Sequence, residues 1–261
     1  MAVSIAVVQV DCSTNEPVYS RVPRVIGMVA EAARGSDMVV LPELWHVGAF
    51  DIAAAREHAQ PIDGPLVVEM CAVAREHGIW LHGGSFCERS PDGQHFNTSV
   101  LITPDGAIAA TYRKIHLFGF AEGERTLMSA GDEIVVVDTP LGRTGLATCY
   151  DLRFPEFFRR LMQQGATAIL LTTGWPAGRI EHWDVLTRAR AIENQAWVIG
   201  CNQVGAQPGI ELGGHSCIVD PRGSVLDRAD QRERILRSTV DPQAPTAWRE
   251  AFPVLDDIRL L

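Results

Sequence analysis

The sequence predicts a single α+β domain in which strands alternate with helices and two β-hairpins are inserted. Short apolar runs rich in β-branched residues, such as SIAVVQV at residues 4–10, indicate buried strands. Apolar residues that recur at helical spacing, as in residues 21–34, indicate helices that pack through one face. The Pro-Asp-Gly sequence at 104–106 joins two alternating runs and predicts a hairpin. No linker, repeat or low-complexity tract divides the chain.

The first half of the chain fits this class element by element. A helix at 21–34 is followed by Gly35, and a second helix at 64–77 carries Pro65 in its first turn and stops at Gly78. The strands predicted in this half are 4–10, 37–44 (DMVVLPEL), 79–86 (IWLHGGSF) and the two runs of NTSVLITPDGAIAATYRKI at 97–115.

The second half repeats the pattern. The segment EIVVVDTPLGRTGLATCY predicts a second hairpin with its turn at 140–142. Helices are predicted at 155–164, where Pro155 suits the first turn, and at 180–195. The remaining predicted strands are 167–173, 196–202, HSCIVDPRGSVLD at 215–227 and RILRSTVD at 234–241. We expect the tail from Asp241 to leave the core and to pack on the domain or on a partner.

The charge balance restricts the partners of the protein. The 261 residues include 23 Lys and Arg and 32 Asp and Glu, which gives a net charge of −9. An acidic chain attracts nucleic acid and anionic lipid poorly, so neither partner is expected. An anionic substrate therefore needs a local cation inside a pocket. No apolar run reaches the ~18 residues of a membrane span, and the N-terminus lacks the basic region of a signal peptide, so we predict a cytoplasmic protein.

The six cysteines form no C-x-x-C pair and have irregular spacings. In a chain of this size, without a secretion signal, we expect most of them to be buried reduced thiols, with at most one or two doing chemistry. The eight histidines form no H-E-x-x-H pattern, so neither a metal nor another cofactor is predicted. The cysteines are Cys12, Cys71, Cys87, Cys149, Cys201 and Cys217.

Cys149 is the candidate nucleophile. In LATCYDLRFPE a buried strand ends at Cys149 and a helix begins near Pro155. A strand–turn–helix unit exposes a nucleophile, and the helix N-terminus with its free N–H groups favours a thiolate and an oxyanion. The alternative is that Cys149 is one more buried thiol. Its place at a strand end, next to Asp151 and Arg153, favours the catalytic role.

Glu43 and Lys114 lie at two further strand ends. Glu43 follows an apolar run and Pro42, and burial of its carboxylate would raise the pKa toward the range of a general base. A structural ion pair is the alternative for Glu43. Lys114 ends the alternating run of TYRKIHLFG, where a lysine is usually solvated. Beside a cysteine nucleophile and a carboxylate base, however, its ammonium would stabilise a developing oxyanion.

The segments VLPELW, YRKIHLF and CYDLRFPE stand in this order around Glu43, Lys114 and Cys149. The ordered set resembles the carbon–nitrogen hydrolase family, also called the nitrilase superfamily, over residues 4–240. The later segments TTGWPAGR, HWDVLTRARAIENQAWVIGCNQVG and HSCIVDPRGSVL look like the same family. Within it, CYDLRFPE and the Gly-Trp-Pro segment look most like the ω-amidase and Nit-type branch.

The resemblance implies a fold and an assembly. The fold is a four-layer α-β-β-α sandwich of two mixed sheets, formed by a carbon–nitrogen hydrolase domain at residues 1–240. Residues 241–261 are a C-terminal tail that packs on the domain or on the dimer partner. The assembly is a homodimer or a higher homo-oligomer in which outer helices pair to give eight layers.

The resemblance also implies the roles of five residues. Cys149 attacks the carbonyl carbon of an amide, and Glu43 takes and returns the proton. Lys114 and the backbone N–H of Tyr150 hold the oxyanion. The second glutamate of the family corresponds to Glu124, chosen for its spacing to Gly-Asp at 131–132, with Glu122 as the alternative.

The branch implies a small amide that carries a carboxylate, such as 2-oxoglutaramate. That carboxylate needs an arginine, and the candidates are Arg153 and Arg179. Each could instead form an internal salt bridge, for which Asp151 and Glu156 are near Arg153 in sequence. Trp175 and Phe118 are candidates for the pocket wall, although large aromatic residues are more often plain core.

Other functions stay open at this point. Within the family, the substrate could be deaminated glutathione, an N-carbamoyl compound or a nitrile, although the residues after Cys149 differ from the arginine-rich pattern of carbamoylases. A papain-like pair of Cys149 with His182 or His215 has no local support. A non-catalytic dimeric binding protein would be expected to have lost one of the three costly polar residues.

Overall fold

Two six-stranded sheets form the centre of the molecule in the computed structural model, which describes residues 1–119 and 123–260. The first sheet has the strand order β14-β1-β2-β3-β4-β5, and the second has the order β13-β12-β9-β8-β7-β6. The strands β10 and β11 pair separately as a hairpin. The strands are β1 (Val3–Gln9), β2 (Met38–Val40), β3 (Trp80–Arg89), β4 (His95–Ile102), β5 (Ile108–Arg113), β6 (Val136–Thr139), β7 (Gly142–Thr148), β8 (Ala168–Thr172), β9 (Trp197–Cys201), β10 (Val204–Gln207), β11 (Ile210–Gly213), β12 (Cys217–Val219), β13 (Val225–Arg228) and β14 (Arg234–Val240).

Helices cover the outer face of each sheet. The described helices are α1 (Val18–Ala32), α2 (Ile52–Glu57), α3 (Pro65–His77), α4 (Pro155–Gln163), α5 (Ile180–Asn194) and α6 (Ala244–Ala251). The helices α1 and α3 pack on the first sheet, and α4 and α5 pack against each other beside the second. The four layers are therefore helix, sheet, sheet and helix, so the predicted α-β-β-α sandwich is confirmed.

Both sheets are mixed. In the first, β1, β2 and β3 run parallel, while β14, β4 and β5 add antiparallel edges. In the second, β7, β8 and β9 run parallel, and β6, β12 and β13 are antiparallel. The central parallel strands are buried on both faces, which explains why they are almost continuous runs of Val, Ile and Leu.

Alternate residues of each central strand face the opposite sheet. Val7, Val40, Leu146 and Leu170 belong to one buried cluster that fills the space between the sheets. Each such side chain contributes ~1.5–3 kcal/mol relative to an exposed position. The sheets are also joined by polar contacts, since the hydroxyl of Thr172 donates to the carbonyl oxygen of residue 41 over 3.1 Å.

Several regions differ from the predictions. The strand predicted at 37–44 is limited to β2, and a turn replaces its second half. The first helix begins at Val18 instead of residue 21, because Pro17 takes an extended conformation and its carbonyl accepts from the first turn. The short helix α2 and the hairpin β10–β11 lack a strong periodic pattern and were not predicted. The tail contains the helix α6, which was also not predicted. Arg249 of α6 donates to the carbonyl oxygen of Ala166 over 2.8 Å, so this helix packs on the same chain.

All six cysteines are free thiols. Five of them are buried and Cys71 is partly exposed, in line with the expectation that most are buried. Within the described residues, no helix has the length and apolar character required to cross a membrane.

Candidate active site

A cavity of about 610 Å³ opens where strands of both sheets end. Glu43 follows β2, Lys114 follows β5, and Cys149 follows β7. All three line the cavity, together with Glu124. The three residues that the sequence indicated as catalytic therefore lie together, at the ends of three strands from two facing sheets. Glu122, the alternative second glutamate, lies outside the described residues.

Lys114 is held between two carboxylates. Its Nζ lies 2.8 Å from Oε1 of Glu43 and 2.7 Å from Oε2 of Glu124. The exposed fractions of the three residues are 1% for Lys114, 2% for Glu43 and 3% for Glu124. Lys114 is also the only lysine among the 23 cationic residues of the chain, a signal for function that our reading of the sequence missed.

Further hydrogen bonds fix both glutamates. The backbone N–H of Gly174 donates to Oε2 of Glu43 over 2.9 Å, and that of Phe118 donates to Oε2 of Glu124 over 2.7 Å. The side chain of Asn97 reaches Glu43 and Glu124 together. Gly174 must be glycine, because a Cβ there would collide with the Cβ of Ala49.

Burial and mutual charge set the protonation states. Burial lowers the pKa of Lys114, but the carboxylates of Glu124 and Glu43 more than offset this, so its pKa is well above the usual value. Burial raises the pKa of Glu124. The negative charge of Glu43 acts in the same direction, and the positive charge of Lys114 acts against it. Burial and Glu43 also raise the pKa of Cys149 far above that of an ordinary thiol, although Lys114 acts against them. The resting site therefore holds a neutral thiol beside an ammonium.

The turn after β7 presents Cys149 in a strained conformation. Its φ is +45°, a left-handed value that is uncommon for a residue other than glycine. A short 3₁₀ turn, Cys149–Arg153, leads from there into α4, which starts with Pro155. Backbone strain of this kind costs ~1–3 kcal/mol and persists only where the surroundings impose it. The predicted strand–turn–helix unit is therefore present, with the thiol at its apex.

Asp151 imposes this turn. Its fully buried carboxylate accepts from the backbone N–H of Thr148 over 2.8 Å and from the hydroxyl of Tyr112 over 2.7 Å. It also accepts from the backbone N–H of His116 over 3.1 Å, and its Oδ1 lies 2.7 Å from Nδ1 of that histidine. His116 therefore acts as a structural hydrogen-bonding residue. Sequence reasoning missed Tyr112. It considered Asp151 as a neighbour of Cys149 and as a partner for Arg153, but not as the residue that fixes this turn.

Arg153 and Arg179 form one wall of the cavity. The guanidinium of Arg153 lies 4.7 Å from the ring centre of Trp175, and that of Arg179 lies 5.5 Å from the ring centre of Phe118. Burial, and then the positive charge of Arg179, lower the pKa of Arg153. Among the described residues, neither arginine forms an ion pair with a carboxylate. The internal salt bridge considered for them is therefore absent from this part of the chain.

Aromatic and apolar side chains complete the lining. Trp175 is buried and donates its Nε1–H to the carbonyl oxygen of Arg179 over 2.8 Å. The ring of Tyr150 packs edge-on against Phe118 at 5.3 Å between centres. Pro208 and Ile210 of the β10–β11 hairpin also line the cavity. The cavity thus combines a small group of charges with a largely apolar wall, as ligand pockets usually do.

The histidines proposed as alternative partners lie elsewhere. Nδ1 of His182 is 3.3 Å from the guanidinium of Arg153, and His215 faces Arg228 and Asp184. Within residues 1–119 and 123–260, no histidine lines the cavity. In the same ranges, no three His, Cys, Asp or Glu side chains are grouped as metal ligands would be.

Comparison with known proteins identifies the family of the chain. The carbon-nitrogen hydrolase family profile matches residues 4–250. The 2-oxoglutaramate amidase of Paenarthrobacter nicotinovorans is 42% identical over 98% of this chain and 89% of its own. The human deaminated glutathione amidase is 37% identical over 89% of this chain and 75% of its own.

A solved structure of a related protein has the same fold. A carbon–nitrogen hydrolase superfamily protein from Xanthomonas campestris, solved with an arsenic adduct in its active site, superimposes with a TM-score of 0.89. It is 29% identical, and the alignment covers all of this chain and 98% of that one. The family profile and these relatives identify the class of the protein as an amidase of the carbon–nitrogen hydrolase type. The chain belongs to the carbon–nitrogen hydrolase family, as the sequence motifs predicted.

Proposed function

We propose that this protein is an ω-amidase that releases ammonia from the terminal amide of 2-oxoglutaramate or a closely similar amide bearing a carboxylate. The observation that carries the proposal is the pair Arg153 and Arg179, which face the cavity of Cys149 without a carboxylate partner among the described residues. Two guanidiniums that form no ion pair within residues 1–119 and 123–260, in a protein of net charge −9, favour an anionic ligand there. The similarity to a 2-oxoglutaramate amidase supports the same substrate.

The first half of the reaction forms a thioester. Glu43 takes the proton of the Cys149 thiol, and Sγ attacks the carbonyl carbon of the amide. The oxyanion is held by Lys114 and the backbone N–H of Tyr150. Lys114 donates two of its three N–H bonds to glutamates, which leaves the third for the oxyanion. Glu43 then protonates the amide nitrogen, the C–N bond breaks, and ammonia leaves.

The second half regenerates the thiol. Glu43 takes a proton from water, whose oxygen attacks the thioester carbon. The same two donors hold the second oxyanion. The C–S bond breaks, the acid product leaves, and the proton returns from Glu43 to Cys149. Glu124 keeps Lys114 in place, since its Oε2 accepts from that ammonium and from the backbone N–H of Phe118.

Three further features of the protein are part of this proposal. We place residues 1–240 in the catalytic domain and treat 241–261 as a tail. We propose a homodimer or a higher homo-oligomer, as the family resemblance implies. We also propose a cytoplasmic location, which the six unpaired thiols support because reducing compartments keep cysteines free.

The test compares 2-oxoglutaramate with butyramide, a neutral amide, in Arg153→Met and Arg179→Met. A hydrogen bond to a charged group contributes ~1.5–3 kcal/mol. Each arginine that binds the carboxylate should therefore lower kcat/KM for 2-oxoglutaramate by roughly 10- to 100-fold when it is replaced. Hydrolysis of butyramide should change less than about twofold.

Arg222→Met is the matched control, because its guanidinium lies over Trp248, away from the cavity. The proposal is wrong if the wild type hydrolyses 2-oxoglutaramate no faster than butyramide. Preference for deaminated glutathione, added as a third substrate, would assign the protein to another amidase of the family.

A further inference from the structure

Asn97 bridges the two glutamates of the site. Its Nδ2 lies 2.8 Å from Oε1 of Glu43 and 2.6 Å from Oε1 of Glu124. The residue has no solvent exposure, and its Oδ1 has no partner among the described residues. Asn97, Lys114 and the two carboxylates thus form a closed ring of four hydrogen bonds, with a neutral donor opposite a charged one.

The strands explain how Asn97 reaches this position. In β4 it is the residue before Thr98, which pairs with Arg113 of β5. Lys114 comes directly after β5, and its backbone N–H donates to the carbonyl oxygen of Asn97 over 2.9 Å. The alternation of β4 turns Asn97 toward the second sheet, on the same face as Leu101. The side chain therefore enters the site from the sheet itself and not from a loop.

The chemistry of the ring requires an amide nitrogen. An ionised carboxylate only accepts hydrogen bonds, so the oxygen of Asn97 cannot face Glu43 and Glu124. Two buried carboxylates share one ammonium, and further donors are needed to offset the cost of burying their charge. Each carboxylate accepts from one backbone N–H, that of Gly174 or Phe118. Asn97 supplies one more donor to both without adding charge.

We propose that Asn97 is a positioning residue of the amidase reaction, which holds Glu43 and Glu124 on either side of Lys114 so that Glu43 is in place as the base for the Cys149 thiol. The inference rests on the proposed function, because it assigns Glu43 the transfer of the thiol proton. Asn97 does not touch the substrate in this role, since it acts through the two glutamates.

The test is the near-isosteric variant Asn97→Leu, which keeps the volume and removes both hydrogen bonds. We expect kcat to fall by roughly 10- to 100-fold at pH 7, as for lost hydrogen bonds to charged groups, while KM stays within about threefold. Because the carboxylates lose a donor that favours the ionised form, the acidic limb of the kcat profile should move to higher pH. The other titratable groups facing them are Lys114, Cys149 and, near Glu124, Cys87.

Asn194→Leu is the matched control. Asn194 is also fully buried and also has an unpartnered Oδ1, but it lies on α5 and outside the cavity. This variant measures the effect of replacing a buried asparagine as such, and its pH profile should match that of the wild type. A displaced acidic limb in Asn97→Leu alone would support the positioning role.

A second readout needs no substrate. The pH dependence of Cys149 alkylation by iodoacetamide should show the same shift of its acidic limb in Asn97→Leu, because Glu43 accepts the thiol proton there too. Wild-type alkylation and kcat profiles in a folded Asn97→Leu would overturn the inference. If Asn97→Leu does not fold, Asn97→Ser, which can donate to only one carboxylate, should show a smaller shift, and no shift would overturn it.

Amide hydrolysis and Cys149 alkylation test the proposed function and the inference about Asn97 separately. A wild type that hydrolyses none of the amides would remove the proposed function. The alkylation profile would still decide whether Asn97 controls the base at Cys149.

Discussion

The hydroxyl of Tyr112 lies 2.7 Å from Oδ2 of Asp151, and this buried hydrogen bond joins the strand before Lys114 to the turn after Cys149. The same hydroxyl accepts from the backbone N–H of Ile115 over 3.1 Å. Two segments almost 40 residues apart in the chain are therefore held in register on opposite sheets. The position of Lys114 relative to the thiol depends on this contact.

Tyr112→Phe should lower the free energy of unfolding by ~1–3 kcal/mol, because Asp151 and the N–H of Ile115 each lose a buried partner. We also expect a reduced kcat with little change in KM. Urea unfolding and steady-state kinetics measure the two effects. Tyr19→Phe is the matched control, since Tyr19 is 82% exposed and should show neither. A Tyr112→Phe protein with wild-type stability would contradict the role assigned to this bond.

Cys149→Ser should abolish turnover, because a serine hydroxyl is far harder to ionise than a thiol beside the same base. Ammonia release from 2-oxoglutaramate is the measurement. Cys71→Ser provides the control, because Cys71 lies on α3, away from the cavity. Retention of more than a few per cent of the wild-type rate in Cys149→Ser would remove Cys149 from the role of nucleophile.

Lys114→Met should lower kcat by at least ~10²–10³-fold, the effect of losing one oxyanion donor. It also leaves Glu43 and Glu124 buried without their shared ammonium, so the free energy of unfolding should fall by ~3–5 kcal/mol at pH 7. The loss should diminish as the pH falls, because a neutral carboxyl group costs less to bury than an unpaired carboxylate. Equal destabilisation at pH 5 and pH 7 would contradict this account of the charges.

Stability should fall at alkaline pH because of the buried thiols. Burial raises the pKa of Cys12 to about 12 and that of Cys217 to about 12, against 9.0 for a free thiol. Between those values the native thiols stay protonated while the unfolded ones ionise, so the folded state binds more protons. Each thiol should therefore cost about 1.4 kcal/mol per pH unit above pH 9. Chemical unfolding under reducing conditions at pH 8 and pH 10 measures the slope, which Cys217→Ala should reduce.

The sequence predicted most of the fold because the strongest signals are local. The apolar run of β8 and the Pro-Asp-Gly turn between β4 and β5 need no tertiary information. The hairpin β10–β11 was missed because it is stabilised at a distance: the side-chain amide of Gln207 donates to the carbonyl oxygen of Cys12 over 3.1 Å and accepts from the N–H of Phe50 over 2.8 Å. The helix α6 is short, and Arg249 anchors it through contacts that no periodicity records.

The candidate site shows the same limit. The motifs around Glu43, Lys114 and Cys149 identified the family, and the structure brings the three side chains together, while their catalytic roles stay proposals. Asn97 is one polar residue in an alternating strand, and only the pairing of β4 with β5 shows that it neighbours Lys114. A single sequence therefore does not reveal residues such as Asn97, which act by positioning other side chains of the site.

The solitary, buried Lys114 leaves the folded protein without a single accessible lysine side chain. Reagents and enzymes that modify ε-amino groups consequently find their one target, Lys114, buried in the folded protein. A protease that cuts only after lysine has one site in the chain, between residues 114 and 115, in the wall of the cavity. Cleavage of this bond requires the wall of the cavity to open, so the rate of cleavage would measure local unfolding at the candidate active site.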